Sequence, residues 1–305
     1  MRSDDVMAPK RTAGRSGRSV QSTSPAGLRA PSAEPRTPPT VLMCRPDHFT
    51  VSYRINPWMH PVVPTDTGLA VRQWQTLYDV YRELGHTVEL IDPVPGLPDM
   101  VYAANGGFVL GGIAYGASFR HPQRRAEAPA YLDWFRAHGF EVRMPRAVNE
   151  GEGDFLLAGD VILAGTGFRS TPASHRELAE VYEREVLTLR LVDPRYYHLD
   201  TALAVLDPAG SNGRPGIAYL EEAFDAPSLE LLRERFPDAI LAGVDDAAVL
   251  GLNCYSDGEN VVIASRATGL ERRLRDCGYT PIGVDLSELL LGGGGVKCCT
   301  LELRR

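Results

Sequence analysis

The chain has 305 residues, of which 44% are hydrophobic and 23% are charged, as in a typical soluble globular protein with a sizeable core. No apolar run is long enough to span a membrane, and the formal net charge of -7 argues against general nucleic-acid binding. Five cysteines without a CxxC pair exclude a disulfide scaffold and a cysteine-built zinc site. Such sparse cysteine use suits a reducing compartment, so we expect a cytoplasmic protein.

Residues 1–38 are rich in Ser, Pro, Gly and Arg and hold almost no large apolar side chain. A segment of this composition buries too little surface to offset the entropy lost on ordering. We therefore predict a disordered N-terminal tail, followed by a single domain over residues 40–305.

Five amphipathic segments are predicted to be helices, each followed by a short strand, and all but the third end at Gly or Pro. The helices are residues 67–84, a segment ending at "FRAHG", and residues 174–186, 228–236 and 269–278; the strands that follow read "GHTVELIDP", "FEVRMPR", "LTLRLVDP", "AILAGV" and "YTPIGVDL".

Between these helical units lie hairpin candidates, with Gly, Asn and Asp at the turns. They begin near residues 101, 154, 198 and 252, and "VKCCTLEL" closes the chain from residue 296. Five similar units, about fifty residues apart, favour a ring of small sheets with helices outside. The alternative is a doubly wound sheet, but no Gly-rich phosphate loop follows any strand.

The segment "GGGGVKCCT", residues 292–300, is the strongest local signal. Four glycines permit unusual backbone angles and close approach of a ligand, so a cysteine just beyond them is a candidate nucleophile. The alternative is a glycine-rich turn that leads into a core strand, with both cysteines buried.

His198 and Asp200 stand two residues apart in "HLDTALAVLD", at the predicted start of a strand. Residues i and i+2 of a strand face the same side, so the imidazole and the carboxylate would project together. This pair suits a general acid/base beside a cation-binding carboxylate. A capped loop histidine is the alternative.

Three carboxylates, Glu150, Glu152 and Asp154, lie among glycines in "NEGEGDF". Clustered carboxylates repel one another unless they bind a cation or face water. No histidine with metal-ligand spacing accompanies them, so we predict no metal site. Several arginines could clamp a substrate carboxylate; they are Arg120, Arg124, Arg125 and Arg169.

Taken together, these motifs resemble the guanidine-modifying (amidinotransferase/deiminase) superfamily. Six segments occur in the family's order from about residue 40 onward: "MCRPDHFTVSYRINPWMH", "DMVYAANGGFV", "RRAE", "EGEGDF", "HLDT" and "GGGGVKCCTLEL". The resemblance is strongest to bacterial dimethylarginine dimethylaminohydrolase-like proteins and to the catalytic domain of arginine dihydrolases. It implies a five-bladed α/β propeller of ββαβ units, the pentein fold.

The resemblance also implies a role for each matching residue. Cys298, rather than Cys299, would be the nucleophile, His198 the general acid/base, and Glu150 the second catalytic carboxylate, with Glu152 in reserve. The substrate-binding residues would be Asp200 for the guanidinium, Arg124 and Arg169 for the α-carboxylate, and Asn105 and Asn56.

One position departs from the usual pattern. Deiminases and dimethylarginine hydrolases usually place an aspartate where this chain has Asn105, whereas arginine dihydrolases resemble it there. Asparagine still accepts a hydrogen bond from a guanidinium but contributes no charge.

The implied function is hydrolysis of a guanidinium C–N bond of arginine or an N-methylated arginine, through a covalent amidino intermediate on Cys298 and without a metal or organic cofactor. The alternatives are transfer of the amidino group to another amine, and an arginine-binding member without activity. The expected partner is a small guanidine substrate, without nucleic acid or membrane; a homo-oligomer is left open.

Overall fold

The computed structural model describes residues 38–208, 210 and 214–305. In these residues the chain forms five sheets of three strands each. The expectation of a disordered tail falls on residues 1–38, which lie almost entirely outside the described residues.

All five sheets have the same internal order. Two antiparallel strands are followed by a helix and then by a third strand, which pairs parallel with the second strand. The strands, in chain order, are β1 Thr40–Cys44, β2 Thr87–Ile91, β3 Gly107–Leu110, β4 Ile113–Gly116, β5 Glu141–Arg143, β6 Phe155–Ala158, β7 Val161–Thr166, β8 Glu185–Arg190, β9 Leu203–Asp207, β10 Gly216–Tyr219, β11 Ile240–Leu241, β12 Tyr255–Ser256, β13 Asn260–Ala264, β14 Thr280–Val284 and β15 Leu301–Glu302.

Five helices of nine to seventeen residues connect the parallel strands, and three single helical turns lie between the units. The helices, in chain order, are α1 Thr67–Glu83, α2 Glu127–Ala137, α3 Pro172–Tyr182, α4 Leu199–Ala202, α5 Ala226–Arg235, α6 Val244–Ala247, α7 Thr268–Asp276 and α8 Ser287–Leu290. None of these described helices is both long and apolar enough to cross a membrane.

The two ends of the domain share one sheet. The last strand, β15, pairs antiparallel with β1, and β1 pairs parallel with β2. The first strands of neighbouring units also touch, since β3 contacts β15, β6 contacts β9 and β9 contacts β12. This arrangement is the predicted ring of ββαβ units, the pentein fold, and not a doubly wound sheet.

The apolar core lies between the helices and the sheets. Trp74, Leu77 and Tyr81 project from one face of α1, and Tyr131 and Phe135 project from α2; all five are buried. Each large apolar side chain buried in this way contributes about 1.5–3 kcal/mol. The helices therefore pack on the outside of the ring, and most of the buried polar residues do not lie in this helix–sheet core.

Several boundaries differ from the sequence-based prediction; the closing strand predicted from residue 296, for example, begins only at Leu301. Two other differences have a clear local cause. The helix predicted over residues 174–186 ends at Tyr182, and β8 already begins at Glu185. Glu183 takes a left-handed conformation with φ of 50°, which stops the helix without a glycine. The hairpin predicted from residue 101 begins only at Gly107, because residues 98–106 form two turns of 3-10 helix.

A buried ion cluster ties the last strand to the centre of the ring. The Glu152 carboxylate accepts hydrogen bonds from Lys297, from Arg304 and from the backbone N–H of Glu302. Glu152 is fully buried and Lys297 nearly so. Because an uncompensated charge in the interior is costly, removal of one member exposes the full desolvation cost of the others.

We expect Glu152→Gln to destabilise the protein by about 3 kcal/mol, because Lys297 and Arg304 would lose a buried counter-charge. Urea unfolding followed by circular dichroism measures this change. Asp133→Asn is the control, since Asp133 pairs with Arg136 on the surface, where both side chains are at least half exposed. The control should cost about 0.5 kcal/mol or less; equal losses in the two variants would show that the cluster adds nothing.

Candidate active site

Five equivalent segments of the chain converge at one place. Each of them leads into the first strand of a unit: residues 98–106 into β3, 150–154 into β6, 198–202 into β9, 250–254 into β12 and 292–300 into β15. The segment before β6 contacts the segments before β3 and β9, and β15 contacts the segment before β3. The predicted site residues Asn105, Glu150, His198, Asp200 and Cys298 all lie in these segments.

Cys298 follows the four glycines and is almost completely buried. Its thiol donates a hydrogen bond to Oδ2 of Asp200 over 3.3 Å and accepts one from Nδ2 of Asn253 over 3.2 Å. Burial raises the pKa of the Cys298 thiol well above its ordinary value, and the nearby charge of Asp200 raises it further. The thiol therefore needs a cation beside it before it ionises readily.

The glycines before Cys298 allow this close packing. A Cβ atom at Gly294 would lie 2.3 Å from the ring of Tyr102 and 3.1 Å from Cβ of Cys298. Gly293 has φ of +89°, which disfavours any other residue. The sequence alternative of a glycine-rich turn with both cysteines buried is thus correct for burial, but Cys298 also faces the polar centre.

His198 and Glu150 form the second half of the site. Nε2 of His198 lies 2.8 Å from Oε2 of Glu150, and both side chains are buried. Burial alone would raise the pKa of Glu150, but the charges of Arg169 and His198 hold it well below its usual range. Glu150 is therefore an anion that orients the imidazole of His198.

The prediction that His198 and Asp200 lie on one strand is wrong. His198 precedes a single helical turn, α4, which contains Asp200, and β9 begins only at Leu203. The two side chains nevertheless meet at the site, because the turn is anchored by Oδ1 of Asp154, which accepts a hydrogen bond from the backbone N–H of Leu199. Burial raises the pKa of Asp200 to about 6, against the opposing effect of His198.

The three clustered carboxylates have different partners. Glu150 contacts His198 and Arg169, whereas Glu152 contacts Lys297 and Arg304. Asp154 accepts from the backbone N–H groups of Ser170 and Leu199. Among the residues described, no group of three or more His, Cys, Asp or Glu side chains is arranged to hold a metal ion.

Arg124 is buried in a second polar cluster beside the site. It donates to both carboxylate oxygens of Glu127, over 2.9 and 2.8 Å, to Oδ1 of Asn105 over 2.6 Å, and to the carbonyl of Asp99 over 3.1 Å. Nδ2 of Asn105 in turn donates to the carbonyl of Glu150. Four of the five N–H groups of Arg124 therefore already have protein acceptors.

Arg169 lies between the site and residues 55–59, which we call the covering segment. Its Nη1 donates to Glu150 over 2.7 Å and its Nη2 to the carbonyl of Ile55 over 3.0 Å. The guanidinium also lies over the ring of Tyr197, 4.5 Å from the centroid. Arg169 thus connects Glu150 with the segment that covers the site.

Asn56 belongs to that covering segment. Its Nδ2 donates to the carbonyl of Gly292, and its Oδ1 accepts from the backbone N–H groups of Trp58 and Met59. Asn56 therefore fastens the segment to the start of the glycine-rich turn. Arg120 contributes only a backbone N–H to Glu150, and the side chain of Arg125 donates to the backbone carbonyls of Phe119 and Arg120.

Sequence reasoning assigned no role to Asp99, Glu127 or Asn253. Asp99 and Glu127 stand inside the quoted segments "DMVYAANGGFV" and "RRAE". Glu127 lies three residues from Arg124, so its pairing has a local signal, whereas the approach of Asp99 to Arg124 joins two distant segments of the same unit. Asn253 had one usable signal, because it occupies, in the segment before β12, the place that Asn105, Glu150 and His198 occupy in the segments before β3, β6 and β9.

Comparison with known proteins shows which proteins the chain is similar to. No family model matches the chain. It is 50% identical over 280 residues to a Mycobacterium tuberculosis protein named N(G),N(G)-dimethylarginine dimethylaminohydrolase, with 91% of each chain covered. It is also 38% identical over 269 residues to the bifunctional arginine dihydrolase/ornithine cyclodeaminase AgrE of Nostoc sp.; this match covers 86% of the present chain but only 37% of AgrE.

The fold is also similar to that of a solved structure. The N-terminal domain of ArgZ, a bifunctional arginine dihydrolase/ornithine cyclodeaminase of Synechocystis sp., superposes with a TM-score of 0.82 and 34% identity. The match covers 88% of the present chain and 98% of that domain, which carries an asparagine-to-serine substitution and a covalently bound reaction intermediate. The chain therefore belongs to the family of dimethylarginine dimethylaminohydrolases and arginine dihydrolases, within the guanidine-modifying superfamily.

Proposed function

We propose that this protein hydrolyses a guanidinium C–N bond of arginine or an N-methylated arginine through a covalent intermediate on Cys298. The observation that carries the proposal is the contact of the Cys298 thiol with the Asp200 carboxylate, in a buried centre that also holds the His198–Glu150 pair. A nucleophile, a cation-binding carboxylate and an acid/base are thus within one small space.

Asp200 is the group that would hold the guanidinium. Its Oδ1 atom is buried and has no hydrogen-bond partner in the described part of the chain. A buried carboxylate oxygen without a donor is unfavourable, and a guanidinium offers several N–H donors in one plane. The substrate cation would also lower the pKa of Cys298, because it offsets the charge of Asp200.

The covalent step follows from this placement. When the substrate cation is bound, the Cys298 thiol gives its proton to His198. The resulting thiolate attacks the guanidinium carbon, and a C–S bond forms as the carbon becomes tetrahedral. Protonated His198 gives its proton to the nitrogen that leaves, since a neutral amine departs far more readily than its anion. The C–N bond then breaks, and a cationic thiouronium remains on Cys298.

Hydrolysis restores the enzyme. Neutral His198 takes a proton from water, and the oxygen attacks the thiouronium carbon. The second tetrahedral adduct releases the Cys298 thiolate and the substituted urea product. Glu150 stabilises the imidazolium in both half-reactions because it stays ionised. The thiol and the imidazole supply the whole chemistry, so the mechanism uses no metal or organic cofactor.

Arg169 is the better placed of the two arginines for the substrate α-carboxylate. It holds Glu150 and the Ile55 carbonyl, and an incoming guanidinium would compete with it for Glu150. Arg124, with four N–H groups engaged, is left with one donor and a paired charge. We propose that Arg169 binds the carboxylate and that Arg124 assists it, while Asn56 positions the covering segment.

Asn105 favours arginine, rather than a dimethylated arginine, as the substrate that undergoes both hydrolyses. A protein that removes two nitrogens from arginine must bind a neutral ureido group after the first hydrolysis. An amide at residue 105 suits both the cation and the neutral group, whereas a carboxylate would favour the cation. We therefore propose arginine dihydrolase activity, carried out in the cytoplasm, where five unpaired thiols are stable.

We expect ornithine, ammonia and carbon dioxide when the purified protein is incubated with arginine and the products are measured by mass spectrometry, because two hydrolyses release two ammonia molecules and the guanidinium carbon leaves as carbon dioxide. Cys298→Ser should lower the rate by at least about 1000-fold, because serine lacks the nucleophilicity of a thiolate. Asymmetric dimethylarginine is tested in parallel. Citrulline and dimethylamine from it would instead establish a dimethylargininase, and a product that forms only with a second amine would establish amidino transfer.

Asn105→Asp should shift the product from ornithine towards citrulline. The added carboxylate would keep the first, cationic step but disfavour the neutral ureido group in the second. The measurement is the citrulline-to-ornithine ratio during turnover of arginine. Asn260→Asp, on β13 and outside the site, should leave the ratio unchanged; an unchanged ratio in Asn105→Asp as well would contradict the role of Asn105.

Arginine binding should weaken as the pH falls through about 6. Burial raises the pKa of Asp200 to about 6, so below that pH Asp200 is protonated in the free protein and must lose its proton to bind a cation. Affinity should then drop by up to about tenfold per pH unit. Isothermal titration of Cys298→Ser with arginine measures this between pH 5 and 8.

The control for the pH dependence is the double variant Cys298→Ser/Asp200→Asn. It should bind arginine more weakly at pH 8 and show a flatter pH dependence, since residue 200 no longer titrates. The same slope in both variants would assign the titration to another group.

A further inference from the structure

We infer that Asn253 is a further catalytic residue, whose side-chain amide donates a hydrogen bond to the Cys298 sulfur and stabilises it as the nucleophile. This inference deepens the proposed function and rests on it. Asn253 is fully buried. It is the contribution of the unit that begins at β12 to the centre where the other four units place Asn105, Glu150, His198 with Asp200, and Cys298.

All the hydrogen-bonding atoms of the Asn253 side chain are directed at this centre. Its Oδ1 accepts from the backbone N–H of Gly295 over 3.0 Å and from that of Cys298 over 3.1 Å. Its Nδ2 donates to the carbonyl of Asp200 over 3.1 Å and to Sγ of Cys298 over 3.2 Å. Because two N–H groups face one end of the amide, that end must be oxygen, and the nitrogen must face the sulfur.

The backbone around Asn253 is also held in this position by hydrogen bonds and close packing. The Asn253 carbonyl accepts from the backbone N–H of Lys297, and its own N–H donates to the carbonyl of Leu250. Leu250 has φ of +53°, and a Cβ atom at Gly251 would lie 2.5 Å from Cβ of Ala267. A bulky residue at positive φ is unfavourable and is retained where a site needs that geometry.

The contact with sulfur has a consequence that a purely structural amide would not have. A hydrogen bond to an ionised acceptor is roughly twice as strong as one to a neutral acceptor. The bond from Asn253 therefore strengthens when the Cys298 thiol loses its proton, and it opposes the rise in pKa that burial and Asp200 cause. The ionisable side chains near Cys298 are those of Asp200 and His198 around α4, Tyr197, Tyr102 and Cys299.

Two variants separate the donor from the acceptor. Asn253→Ala removes both ends of the amide, whereas Asn253→Asp retains the oxygen that holds Gly295 and Cys298 and replaces the N–H donor with a second oxygen. If the donor matters, Asn253→Asp should be at least as impaired as Asn253→Ala. If the side chain only holds the turn, Asn253→Asp should be close to the wild type.

The main readout is alkylation of Cys298 by iodoacetamide as a function of pH, followed by peptide mass spectrometry. It needs no turnover, so it is independent of the identity of the substrate. We expect the rate at pH 8 to fall at least about tenfold in both variants, with the pH profile displaced by about one unit to the alkaline side. With arginine, kcat should fall about 100-fold while KM stays within about threefold.

Controls guard against a simple loss of structure. Gln73→Glu makes the same kind of change at a buried amide that contacts Asp285 and Ser287, and it should lower stability without moving the alkylation profile. If Asn253→Asp does not fold, Asn253→Leu provides an uncharged replacement of similar size without a donor and should show the same alkaline displacement.

Alkylation at the wild-type rate in Asn253→Asp, or a faster rate than in Asn253→Ala, would overturn the inference. Failure of the proposed function looks different. In that case the wild type turns over neither arginine nor dimethylarginine, while the variants still differ from it in alkylation.

Discussion

The structure depends on the pairing of charges in a centre from which the protein excludes water. Glu150 lies against His198 and Arg169, Glu152 against Lys297 and Arg304, and Arg124 against Glu127. A buried charge without a partner would cost several kcal/mol, so each cluster constrains the segments that supply its members. The pairs of Glu150 with His198 and of Glu152 with Lys297 and Arg304 join different units, so they also hold the ring together.

The unsatisfied atoms are as informative as the paired ones. In the described residues Oδ1 of Asp200 and Nδ1 of His198 are buried without hydrogen-bond partners, whereas the neighbouring Glu150 and Glu152 are fully engaged. A site that binds a cation must keep such an acceptor available, although this lowers the stability of the free protein. Only Gly151 separates Glu152 from Glu150. The ion cluster around Glu152 therefore stabilises the chain directly beside the atoms that lack partners.

Sequence reasoning was least reliable where the chain enters the centre. The segment before β9 was predicted to be a strand because its alternation of His198 and Asp200 fits a strand face, but the carboxylate of Asp154 caps it into a helical turn. The segment before β3 likewise forms 3-10 turns. In both places hydrogen bonds from side chains distant in sequence or from other units replace the ladder bonds that a strand would need, and no local pattern announces them.

The repeat of five units, the helix faces and the candidate residues of the site can be predicted from the sequence. They follow from hydrophobic periodicity, turn residues and six motifs in family order, all of which are local signals. Two contacts come only from the fold: Glu150, and not Glu152, contacts His198, and Asn253 contacts Cys298. Both join side chains of different units, and such contacts depend on packing and charge burial rather than on spacing along the chain.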